Sequence, residues 1–262
     1  MLTNSRIVIS PFEVQRQVTL VLTLEPIADK EGCTTRYRDM ADTATLADFL
    51  GSAVNTSQYF YQLAERVVDQ SGQPEFFYDL GLTALQTSKT NFRNKKLNNY
   101  GLIELLLPLI VSRLTGVGDG VAVCKHVPNV LRASSGRDVE FLDQMRALAW
   151  SGSHKAHKRD YPKIIGGNNL YEHHQNNVQV GARTGYRSAE AWSRQLLDGL
   201  PLVQEMYLEA RQHLDQGLIA ATEQAYKLGR EKTDYSAGFI ADYAAAVGYL
   251  LLSEAGARAE II

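Results

Sequence analysis

The chain has 262 residues, 45% of them hydrophobic and 21% charged, with a formal net charge of −2. That balance supports a sizeable buried core in one large or two small domains, and it supplies no global pull towards nucleic acid or an anionic membrane. The two cysteines, Cys33 and Cys124, form no metal-ligand spacing and suggest a reducing compartment.

The opening MLTNSRIVIS lacks a basic region followed by a long apolar run, so no secretory signal is expected. Residues 12–25, FEVQRQVTLVLTLE, place Val14, Val18, Val21 and Leu22 at helical spacing. Their valines and threonines keep a strand as the competing reading, and Pro26 is expected to end the segment. Thr45 with Asp48 three residues on resembles a capping box and opens a long helix. On it Leu46, Phe49, Leu50, Ala53 and Val54 share a face, and SGQP terminates it. Another helix follows through FFYDLGLTALQTS, and the polar KTNFRNKKLNNYG then leads into LIELLLPLIVSRL, apolar on most sides and therefore central. Ser135 with Asp138 caps RDVEFLDQMRALAW.

Residues 151–183 are rich in Gly, Asn and His and weakly periodic, which predicts a long polar loop, either ordered by contacts, a lid, or disordered. Helical spacing returns in RSAEAWSRQLLDG, LPLVQEMYLEARQHLDQ and LIAATEQAYKLG, and in the closing SAGFIADYAAAVGYLLLSE. No run alternates cleanly enough to demand a sheet, and the apolar runs are too short and interrupted to span a bilayer. The expectation is a cytoplasmic, all-α, single-domain multi-helix bundle over residues 1–262, with a long polar loop near 151–183.

Several patterns offer chemistry. His154 and His157, with His173 and His174, are candidate metal ligands or solvated loop residues. GDG and IGGNN either approach phosphates or form plain turns, and NFRNKK is a phosphate grip or a solvated face. Cys33 and Cys124 have no sequence partner that would activate them. The segment DKEGCTTRYRD, residues 29–39, combines more. Lys30, Arg36 and Arg38 can neutralise phosphates; Glu25, Asp39 and Asp42 supply carboxylates for magnesium or a proton; Gly32 lets the backbone bend close to a ligand.

Read in order, LEPIADKEGCTTRYRDMADTATLADFLGSAV resembles the N-terminal signature of the triphosphoribosyl-dephospho-CoA synthase family. The matching residues are Glu25, Lys30, Gly32, Arg36, Arg38 and Asp39, then Asp48, Phe49, Leu50, Ser52 and Ala53. LNNYGLIELLLPLI is similar to a second family segment at Asn99 and Gly101, and GFIAD to a third at Gly238, Ala241 and Asp242; a weaker match falls at Gly152. Asp29, Glu31, Cys33 and Thr35 stand where the family carries two prolines, an asparagine and a histidine.

The resemblance implies a transferase that joins the 2′-hydroxyl of dephospho-CoA to the ribose C1′ of ATP and expels adenine. It implies Asp39 and Asp242 as catalytic residues, interchangeable as base and metal ligand. Lys30, Gly32, Arg36, Arg38, Asn99 and Gly238 would bind phosphate or nucleotide, and Glu25, Asp39 and Asp242 would hold magnesium. The expected partner is a nucleotide or phosphorylated cofactor precursor, with no nucleic acid and no membrane; a homo-oligomer is compatible with this. The runner-up readings are a biosynthetic enzyme for a methanofuran- or tetrahydromethanopterin-like one-carbon carrier, a non-catalytic ligand-binding descendant, and a helical scaffold.

Overall fold

The computed structural model describes residues 9–39, 44–91, 99–116, 118–150, 165–185 and 187–255. Helix α1 (Pro11–Ile27) begins where the Ser10 hydroxyl accepts from the Glu13 amide and Pro11 pre-sets the first turn. Val14, Val18, Val21 and Leu22 form its buried face, as the spacing predicts, so a helix and not a strand occupies this segment. Pro26 lies within the last turn of α1 and the chain leaves the helix at Ala28.

Helix α2 (Leu46–Asp69) opens on the expected capping box, with Thr45 and Asp48 each accepting from the other's amide. Its core face differs from the predicted one. Val54 is 65% exposed, while the buried row runs through Phe49, Ala53, Phe60 and Leu63 and includes Ser52 and Thr56. Those hydroxyls are tolerated inside because each has a partner: Ser52 bonds Ser88, and Thr56 donates to the Ser52 carbonyl.

Helices α3 (Tyr78–Asn91), α4 (Tyr100–Leu114), α5 (Gly120–Ala133) and α6 (Gly136–Trp150) follow. As expected for an almost wholly apolar helix, α4 is central: every residue from Leu102 to Ser112 is buried, and it packs against α2, α3, α5 and α11. Pro108 has no amide hydrogen, which frees the Glu104 carbonyl; the Tyr78 hydroxyl donates to that carbonyl at 3.4 Å. Asp138 serves two helices. Its Oδ2 accepts from the Ser135 amide and hydroxyl at the start of α6, and its Oδ1 accepts from the Phe77 and Tyr78 amides at the start of α3.

The chain closes with α7 (Leu170–Thr184), α8 (Arg187–Leu197), α9 (Pro201–Gln212), a 3-10 turn (Leu214–Gln216), α10 (Leu218–Lys232) and α11 (Ala237–Ala255). The expected polar loop is thus corrected over its second half, where Asn169 caps α7 by accepting from the Glu172 amide. Apolar periodicity missed α7 because its buried face is largely polar: His173, His174 and Asn177 line up with Leu170 and Gly181. Residues 151–164, with His154, His157 and Gly152, lie outside the described residues, as does most of NFRNKK.

The fold is all-α. Among the described residues β-type pairing is limited to isolated bridge positions, one bridge joining Thr35 and Arg38, and no helix is long and apolar enough to cross a membrane.

Candidate functional site

The end of α1 and the turn after it build a buried ion pair. Lys30, 1% exposed, folds back so that its ammonium donates to the Glu25 carbonyl and to Glu25 Oε1 at 2.7 Å. It therefore closes the C-terminal end of α1, where carbonyls lack helical partners and a cation is favoured. The other carboxylate oxygen, Glu25 Oε2, is buried without a partner. Lys30 thus faces inward, and the cations left on the outside of the turn are Arg36 and Arg38.

Asp242, from the second turn of α11, faces the same pair. Loss of hydration and the nearby Glu25 charge push its carboxyl well above the usual range, against the pull of Lys30 and a backbone hydrogen bond from Leu102. Leu102 is in the first turn of α4, so this carboxylate sits at a helix N-terminus. Gly101 makes that approach available. A Cβ there would overlap Asp242 Oδ2 and stand 3.0 Å from its Cγ and 3.3 Å from Trp192 Cη2. Gly32 is constrained similarly. Its φ is +84°, and an added Cβ would lie 3.1 Å from the Ala237 Cβ at the start of α11.

The remaining predicted residues lie around this cluster. Asn99 is buried in a closed triangle, its amide donating to Ser52 Oγ at 2.8 Å and its carbonyl accepting from Ser88 Oγ at 3.0 Å. It ties α4 to α2 and α3. Asp39 is exposed and accepts from the Leu46 amide at 2.7 Å, so it caps α2. Arg36 lies 3.8 Å from Glu223 and over the Tyr37 ring, and Gly238 is exposed near the start of α11. Glu25, Lys30, Gly32, Gly101 and Asp242 are brought together; Asp39, Arg36 and Arg38 belong to an outer rim. Asp42 lies outside the described residues.

Arg38 lines an open groove of about 600 Å³ between the 29–38 turn and α10. The groove is pinned at two points: the Asp29 amide donates to Glu223 Oε1 at 2.8 Å, and the Tyr226 hydroxyl donates to the Glu31 carbonyl at 2.6 Å. Cys33 lies between the groove and the buried cluster. It feels the charges of Lys30, Glu25, Asp242 and Arg230, and burial pushes its thiol up to about 11.

No protein-family model, curated protein or solved structure matches the chain. The functional reading therefore rests on the residues themselves.

Behind Asp242 lies a second charged network that apolar periodicity passes over. Glu104, in α4, accepts from Trp192 Nε1 at 3.1 Å and lies 3.5 Å from Arg146 Nη2; its charge also raises Asp242. Arg146 Nη1 donates to His173 Nε2 at 2.6 Å, which requires a neutral imidazole protonated on Nδ1. His174 bonds Ser193 through Nδ1 at 3.1 Å. Burial and the Arg146 charge hold both histidines well below their ordinary value. A lone glutamate inside LIELLLPLI was the available signal, because a charge in a wholly buried helix needs a partner.

The other candidates resolve into structure. Asp119 of GDG caps α5, and Gly120 donates to Glu254 at 2.6 Å. In IGGNN, Asn169 caps α7. The Cys124 thiol is buried and pushed up by loss of hydration. Among the described residues no three His, Cys, Asp or Glu side chains gather as a metal-holding group.

Proposed function

We propose that the chain is a divergent transferase of the triphosphoribosyl-dephospho-CoA synthase type, acting on ATP or another phosphorylated nucleotide or cofactor precursor in coenzyme or prosthetic-group biosynthesis. One observation carries this reading. Three blocks far apart in sequence, which hold the residues of the resemblance, come together: Asp242 rests over Gly101 and within the electrostatic reach of the Glu25–Lys30 pair.

In this reading Asp242 takes the proton from the attacking hydroxyl. A carboxylate raised by burial and a neighbouring anion holds a proton closer to neutral pH than an exposed one, as a general base requires. As the hydroxyl oxygen bonds to C1′, the bond to the base breaks and its electron pair leaves with the base. The positive charge that builds on the ribose is favoured by the neighbouring Glu25 carboxylate. Lys30 orients Glu25 through the bond to Oε1, a positioning role.

Magnesium fits this residue set in a limited way. Mg²⁺ commonly takes one or two carboxylates together with substrate phosphates, and the partnerless Glu25 Oε2, with Asp242 opposite, would supply them. When bound, the ion would neutralise phosphate charge. Asp39, capping α2 at the rim, is the less favoured ligand.

The burial of Lys30 and the presence of Asp29 and Glu31 on the turn favour a substrate with fewer phosphates than ATP, which supports a related reaction over the unmodified one. A one-carbon carrier precursor is the second reading on this ground. The deciding experiment is adenine release from ATP with dephospho-CoA and magnesium, comparing the natural chain with Asp242→Asn. Release that needs both substrates and is lost in the variant supports the unmodified reaction. Absence of release alongside thermal stabilisation by a nucleotide removes that reaction and retains the related one. Absence of both overturns the transferase reading.

A further inference from the structure

The groove beside the 29–38 turn holds more than the residues of the resemblance. Helix α10 presents Glu223, Tyr226, Lys227 and Arg230 at spacings of three and four residues, so they share one face. Glu223 and Tyr226 fasten the turn to that face, leaving Lys227 and Arg230 opposite Arg38 across the groove. Arg38 and Lys227 make no ion pair with any of the described residues, although Asp29, Glu31 and Glu231 line the same groove. Arg230 donates one hydrogen bond to the Tyr235 carbonyl and lies near enough to Cys33 to influence its thiol. Tyr37 lines the groove with 71% of its surface exposed, and Arg36 lies 4.7 Å from its ring centroid.

A lining of three cations and three carboxylates does not suit a bare polyanion, whose gain from one set is offset by the other. It suits a ligand with a phosphate at one end and hydroxyl donors beside it. Arg38, Lys227 and Arg230 match phosphate oxygens, a carboxylate accepts from a ribose diol, and an exposed tyrosine backed by an arginine stacks a planar base. A volume of about 600 Å³ is adequate for one such molecule.

We propose that this groove is a nucleotide subsite, with the phosphate held by Arg38 and by Lys227 and Arg230 of α10, the base on Tyr37, and the ribose facing the carboxylates. The proposal deepens the transferase reading and rests on it for the assumption that the groove's occupant reacts at Asp242. Arg230 lines the groove, and Cys33 feels the charges of both Arg230 and Asp242.

The test is calorimetric titration of the full chain with AMP, ATP and pyrophosphate as separate probes. Arg38 and Lys227 are exposed and make no ion pair with the described residues, so the double variant Arg38→Ala/Lys227→Ala keeps the fold. Its affinity for AMP should fall by roughly tenfold or more, as expected for losing charge-assisted hydrogen bonds. Tyr37→Ala should weaken AMP while leaving pyrophosphate unchanged. Lys125→Ala, which removes one exposed positive charge from α5 outside the groove lining, should bind like the natural chain. Failure of the natural chain to bind AMP or ATP overturns the subsite, as does undiminished AMP binding by the double variant. Binding that follows these variants without adenine release retains the groove and removes the unmodified reaction. Turnover that depends on Asp242 but ignores Arg38 and Lys227 retains the transferase and removes the groove.

Discussion

The carboxylate of Asp242 fills the space that a side chain at residue 101 would need: a Cβ on Gly101 would overlap Oδ2 and stand 3.0 Å from Cγ. The contact joins the start of α4 to α11 and fixes where the raised carboxyl points. Gly101→Ala should therefore cost about 1–3 kcal/mol by forcing one helix or the other to shift. In an Asp242→Ala background the same change should cost less, with a coupling of about 0.5–3 kcal/mol in a double-mutant cycle by urea denaturation. Equal cost in both backgrounds would mean that the two residues do not meet.

Lys30→Met keeps the length of the side chain and removes its charge. It leaves the mostly buried Glu25 carboxylate without its cation, and breaking a buried pair in this way costs about 3–5 kcal/mol. Adding Glu25→Gln should recover much of the loss. Chemical denaturation of both variants checks this. A loss under about 1 kcal/mol in the single variant, the range of exposed pairs, would show that the pair is not buried.

Stability should depend on pH through two sets of buried groups of opposite sign. His173 and His174 are held neutral, with folded-state values below the ordinary 6.5, so the unfolded chain binds more protons as pH falls through that value. Stability is lost on acidification from about 6.5 downward, and His174→Asn should flatten that limb. Asp242 has the opposite sign. Its folded-state value is raised above 3.8, so its contribution is complete below that pH and is lost as pH rises through the raised value. Asp242→Asn should remove this decline. Urea titrations across the pH range would show whether each variant alters its own limb.

The Cys33 thiol, pushed from 9.0 to about 11, should be slow to react. The thiolate is the nucleophile, so alkylation by iodoacetamide near neutral pH should run roughly a hundredfold below a thiol of ordinary value. Rapid labelling of the folded chain at Cys33, resolved by peptide mass analysis, would contradict the placement of this thiol beside Glu25 and Asp242.

Much of the fold was legible because it follows from local chemistry. The Thr45–Asp48 capping box, the valine stripe of α1 and the all-round apolar character of α4 each follow from a short window of residues. The misjudged segments are those where tertiary partners let polar groups enter the core. Ser52 on α2 and His173, His174 and Asn177 on α7 are buried because Ser88, Arg146 and Ser193 receive or bond them, and no local window contains those partners. The site divides in the same way. Asp242 and Gly101 were marked only by the resemblance, and the inward turn of Lys30 depends on the carbonyl end of α1. The contribution of Lys227 and Arg230 depends on α10 lying beside a turn nearly two hundred residues earlier, a juxtaposition marked by the bond from Tyr226 to Glu31.

Asp138 gives two helices one stopper. Its two oxygens satisfy the starts of α3 and α6 at once, so neither helix can fray from that end without exposing the amides of the other. The two segments should open as one unit in amide hydrogen exchange, with the protection of the Phe77 and Ser135 amides rising and falling together. The part of the protein that holds Arg146 thereby shares its opening transition with α3, which packs against α2 and α4.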